Sequence, residues 1–92
     1  QQACRADTGA QTSAAVAVTS LAVDEPDTKA TLGSGGAVEL LVDSMRANLP
    51  AAQLQERCLL ALSTLVVDDD DNQDRAFERG GLGAVVDAMQ AY

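Results

Sequence analysis

Shifted by 44 residues against itself, this 92-residue chain meets its own pattern again. Gln11, Ala17, Leu21, Val23, Asp24 and Asp27 recur as Gln55, Ala61, Leu65, Val67, Asp68 and Asp71. Gly36, Val42, Asp43, Met45 and Ala47 recur as Gly80, Val86, Asp87, Met89 and Ala91. A period in the forties belongs to stacked helical repeats, where no unit can bury its apolar face alone and each uses its neighbour. The pattern predicts a single domain of two units, over roughly residues 5–48 and 49–92. One slip interrupts it. Leu32 pairs with Phe77 only at a shift of 45, which implies that the first glycine turn is one residue longer than the second.

Helical spacing runs through both units. In Gln53–Val67, Leu54, Cys58, Ala61, Leu62 and Leu65 fall on one helical face, and from Cys58 to Val67 only Ser63 and Thr64 are polar. A helix that is apolar nearly all round has to be covered on several sides. Thr8–Val23 is a smaller copy, with Ala10, Ala14, Ala17, Val18 and Leu21 at the same spacing. Asp24-Glu25-Pro26-Asp27 ends it and opens a short helix to Leu32, because proline at a first helical position wastes no amide and carboxylates favour the positive dipole end. Gly33-Ser34-Gly35-Gly36 breaks the chain before a medium helix over Ala37–Ala47, and Asn48-Leu49-Pro50 ends that. After Asp68–Asp71 the same order returns: a short helix over Asn72–Arg79, a Gly80-Gly81 turn, and a medium helix over Leu82–Ala91. The fold class is all-α.

Six Lys and Arg against fourteen Asp and Glu leave a net charge of −8, which repels nucleic acid phosphates and anionic membrane surfaces and leaves a basic partner open. No window approaches the roughly 18 apolar residues of a membrane span. Two cysteines, Cys4 and Cys58, without CxxC spacing point to a reducing compartment, cytoplasmic or nuclear, and Cys58 on the apolar stripe reads as a small buried hydrophobe. With no His, neither a Ser-His nor a Cys-His nucleophile pair can form within the chain. The glycine turns follow helices and lack the spacing and the Lys of a phosphate loop. The expectation is a non-catalytic protein with no cofactor and no metal. Asp68, Asp70 and Asn72 match the opening of a calcium loop, but Gln73 stands where glycine is needed and Arg79 where the bidentate glutamate belongs. The acidic run instead predicts an exposed turn, with Asp70 or Asp71 capping the next helix.

The stretches Leu32–Met45 (LGSGGAVELLVDSM), Phe77–Met89 (FERGGLGAVVDAM) and Gln55–Leu65 (QERCLLALSTL), the last echoed by Gln11–Leu21, resemble armadillo repeats. Related HEAT repeats share the period, and the Gly-Gly turn between a short and a medium helix favours armadillo. The resemblance implies a right-handed α-α superhelix whose long third helices line a groove that binds protein or peptide. The family's groove carries a Trp and an Asn on each third helix, and those positions fall at Leu60 and Val16 and at Thr64 and Ser20. None of the four matches, and a short hydroxyl cannot bond both peptide groups as a carboxamide can. Nuclear-import-style peptide recognition is therefore not expected, and Thr64 and Ser20 are expected to bond a carbonyl one turn back. What remains of the groove face is Gln11, Ser13, Thr19, Ser20, Gln53, Gln55, Arg57, Ser63 and Thr64, a candidate surface for another polypeptide. Two units also leave two open ends. Val85, Val86 and Met89 at the far end, with Ala14–Leu21 at the near end, predict either a homo-oligomer or a piece of a longer solenoid, so a purely structural, self-assembling role is the alternative function.

Overall fold

Six helices account for most of the computed structural model, which describes residues 7–92; Cys4 lies outside that range. They are α1 (Thr8–Ala22), α2 (Pro26–Ser34), α3 (Ala37–Ala47), α4 (Ala52–Val66), α5 (Asp70–Glu78) and α6 (Gly81–Ala91). Among the described residues there is no strand. The three helices of each half have 15, 9 and 11 residues, and every boundary recurs 44 positions later.

The turns repeat as closely as the helices. Val23 and Val67 leave their helices extended, at φ −61°, ψ 126° and φ −64°, ψ 127°. Asp24 and Asp68 follow in the left-handed region, at φ 59° and 56°. Gly36 and Gly80 hold the turns into the medium helices at φ 98° and 86°, a conformation that a Cβ would strain. The expected slip of one residue is therefore corrected, because the shift is 44 throughout. Gly33, not Leu32, is the counterpart of Phe77, and α2 continues through Gly33 and Ser34 rather than ending at Leu32. Gly33 is buried against the second unit, where a Cβ would overlap the Asn72 carboxamide, so close approach rather than a turn requires glycine there.

The α4 helix is the hub, packing against α1, α2, α3 and α5. Its Leu54, Cys58, Ala61 and Leu65 are essentially inaccessible to solvent, and they meet Ala15 and Ala22 of α1 and Val38, Val42 and Met45 of α3 in one core. The radius of gyration of 12.4 Å is that of a globular chain of this size, so the two halves are pressed together rather than strung out. That core is built mostly between the halves. Leu65 is fully buried while its counterpart Leu21 is exposed, and Met45 is buried while its counterpart Met89 is exposed.

Three polar side chains complete the junction. Asn72 is wholly buried in the first turn of α5, donating from Nδ2 to the carbonyls of Lys29 and Leu65, each at 2.9 Å. Its Oδ1 accepts from Arg75 Nη1 at 2.7 Å. Lys29, also buried, donates from Nζ to the Val67 carbonyl at 3.1 Å, setting its charge against the negative end of the α4 dipole. Gln55 donates from Nε2 to the carbonyls of Met45 and Asn48 at 2.8 and 3.0 Å, closing the end of α3. Asp69, rather than Asp70 or Asp71, caps α5, accepting from the Asn72 amide at 3.0 Å.

Candidate functional site

The two long helices, α1 and α4, lie against each other along their length, and their outward sides are the face proposed for contact from sequence. A Ser, Thr and Ala-rich α1 is thin, so it approaches α4 closely and leaves a shallow depression where the two helices begin. This groove measures about 640 Å³ and is lined by Thr8, Gly9, Thr12, Ser13 and Val16 from one side and Ala51, Ala52, Gln53, Leu54 and Arg57 from the other. Three residues singled out by the sequence, Ser13, Gln53 and Arg57, therefore come together. Among the described residues Arg57 is the only charged side chain lining the groove, and no carboxylate lines it.

The remaining candidates divide. Thr64 Oγ1 and Ser63 Oγ both bond the Leu60 carbonyl, at 2.9 Å each, and Thr19 Oγ1 bonds the Ala15 carbonyl at 3.0 Å, so these hydroxyls are occupied within their own helices. The expected back-bond forms at Thr64; beside Ser20 it is Thr19 that makes one. Ser20 is exposed further along α1, outside the groove. Gln11 is half-buried, with Oε1 accepting from Asn48 Nδ2 at 3.2 Å, and it sits at the near end of the molecule. Gln55 is corrected outright: only 2% exposed, it is part of the junction and offers nothing to a ligand. Val16, the position of the family's groove Trp, does line the groove, whereas Thr8 and Thr12 were not foreseen, although both lie at four-residue steps from Val16 along one helix.

Cys58, the one described cysteine, is buried, and burial pushes its thiol up to about 11, which leaves almost no thiolate at neutral pH. Asp43 and Arg79 form a bidentate pair, with Arg79 Nε on Oδ1 at 3.0 Å and Nη2 on Oδ2 at 2.6 Å. The hydrogen bond from Arg79 holds the Asp43 carboxyl below its ordinary range. Both groups are about half exposed and lie well away from the α1–α4 groove, so their effect is to tie α3 to the turn before α6, at modest gain. Asp68–Asp74 forms the turn and first helical turn of α5, with Asn72 drawn into the core rather than toward a cation. Among the described residues no three His, Cys, Asp or Glu side chains group as a metal site would require, and no helix is long and apolar enough to cross a membrane. Comparison with family models, with curated proteins and with solved structures finds no match to this chain.

Proposed function

We propose that this chain is a non-catalytic protein-interaction module of armadillo type, two turns of a right-handed helical stack whose α1–α4 groove receives an extended stretch of another polypeptide in the cytoplasm or nucleus. The observation that carries the proposal is the convergence of Ser13, Gln53 and Arg57, from two units 44 residues apart, on one open groove with a mixed polar and apolar lining. Such a groove suits a segment that supplies its own backbone hydrogen-bonding groups and a small apolar side chain toward Val16, with a carboxylate near Arg57. The groove lacks the Asn and Trp ladders of the family's peptide-binding members, so the affinity comes from shape and from one charge, and is moderate.

Selection from a displayed library of random peptides tests this. Neutral-to-acidic extended sequences are expected to be enriched, and the Ser13→Glu, Gln53→Glu double variant, which fills the groove from both walls and sets like charge against an acidic segment without touching the core, should weaken them at least about tenfold, equivalent to about 1.4 kcal/mol. If no peptide is enriched, or if enriched peptides bind the double variant as well as the parent chain, the groove is not the binding surface.

A further inference from the structure

The internal junction specifies what its own open ends fit. In that junction α3 packs on both α4 and α6, burying Val38, Val42 and Met45. The helix that α3 corresponds to in the second unit is α6, and the side chains at those three positions are Leu82, Val86 and Met89, which are 64%, 50% and 71% exposed. At the other end of the molecule, α1 and α3 stand where α4 and α6 stand in the second unit, but no described residue lies between them. The space is a groove of about 780 Å³, predominantly apolar, lined by Ala14, Val18, Leu40 and Leu41, with Gln11, Asp43 and Asn48 among its polar residues. The described residues thus carry both halves of a repeated interface: an open seat between α1 and α3, and in α6 a helix of the matching kind.

We propose that the occupant of the α1–α3 groove is α6 of a second copy of this chain, seated as α3 is seated against α4 and α6, so that copies join head to tail. The contact extends an interface the molecule already contains. It is heterologous, and because the same step is available again at the far end, association is open-ended rather than closed at a pair. It is also weaker than the internal junction. Gln73 and Gln90 stand where Lys29 and Arg46 donate to the Val67 and Gly80 carbonyls, so two charged links have only amide replacements. Phe77 stands at the position of Gly33, which holds α5 of the seated copy further out than α2 is held in the internal junction.

Sedimentation from micromolar to millimolar protein, at physiological ionic strength so that the net charge of −8 is screened, provides the test. The weight-average mass of the parent chain is expected to climb past twice the monomer. Met89→Glu should block one end and Ala14→Glu the other, each giving monomer alone, while their equimolar mixture gives a heterodimer and nothing larger. Both sites are exposed, and unchanged helix content by circular dichroism verifies the folds; Val86→Glu and Leu40→Glu serve as second variants of the same two ends. A parent chain that stays monomeric overturns the proposal. So does a mass that levels at the dimer, or association that survives Ala14→Glu and Leu40→Glu but not Met89→Glu, which would mean a two-fold α6 pairing.

Discussion

At the scale of single residues, the junction between the units turns on a few buried polar side chains, Asn72 above all. Asn72 spends both amide hydrogens on main-chain carbonyls from other elements, Lys29 in α2 and Leu65 in α4, and its oxygen on Arg75. Burying a carboxamide is favourable only when its partners are in place, and the same holds for the carbonyls it serves. Truncation in Asn72→Ala strands two buried acceptors and opens a small void next to Gly33, so the loss of stability is expected at about 2–4 kcal/mol. Asp71→Ala, one position away but exposed, should cost no more than about 0.5 kcal/mol and controls for helix propensity. Urea unfolding followed by circular dichroism measures both. Equal midpoints for the two variants would mean that the carboxamide is a bystander.

At the scale of elements, equivalent positions in the two units allow a built-in comparison of caps. Asp69 precedes α5 at φ −141°, ψ 98°, and its carboxylate accepts the Asn72 amide. Glu25 precedes α2 at φ −124°, ψ 87°, a similar backbone, yet it makes no capping bond. One methylene separates them: the longer side chain overshoots the amide that the shorter one reaches. Glu25→Asp should therefore stabilise by about 0.5–1 kcal/mol, and Asp69→Glu should destabilise by about the same, with no change in charge in either case. Opposite signs in thermal unfolding are the expected outcome, and two shifts of the same sign would contradict it. The helices themselves were legible from the spacing of Leu, Val and Ala, since α1, α3, α4 and α6 each carry an apolar stripe of helical period. What was not legible depended on distant residues. Gly33 looked like a helix breaker because glycine followed by Ser-Gly-Gly signals a turn, and only the Asn72 carboxamide across the junction explains a glycine inside α2. The misplaced register had the same origin: matching Leu32 to Phe77 by hydrophobicity ignored that one position faces a neighbour and the other faces water. Of the groove, Ser13, Gln53 and Arg57 were legible as outward positions, whereas Gln55 was misassigned because its acceptors, Met45 and Asn48, belong to the preceding helix.

At the scale of the whole molecule, each half is folded largely by the other. Val38, Val42 and Met45 are buried because α4 and α6 cover them, and Leu54, Ala61 and Leu65 are buried because α1 and α3 cover them; the same positions in the opposite units are open. A unit of about 44 residues that loses its neighbour keeps little apolar burial to set against its chain entropy, since chains below roughly 60 residues are already marginal. Lys29 and Asn72 would lose their acceptors or donors at the same step. The two units are therefore expected to unfold in one transition, with no populated form in which one is folded and the other is not. Native-state hydrogen exchange provides the measurement, because α3 lies in the first unit and α4 in the second. Their slowest amides should open with the same free energy, within about 0.5 kcal/mol, and with the same denaturant dependence. Tyr92 supplies an independent probe from the second unit, its hydroxyl bonded to the Leu49 carbonyl at 2.8 Å, and its fluorescence should follow the far-ultraviolet dichroism of the whole chain through denaturation. If α3 amides exchanged through an opening more than about 1 kcal/mol cheaper than those of α4, or if the tyrosine transition separated from the dichroism, the first unit would be a local appendage and the shared core would not be what holds the fold together.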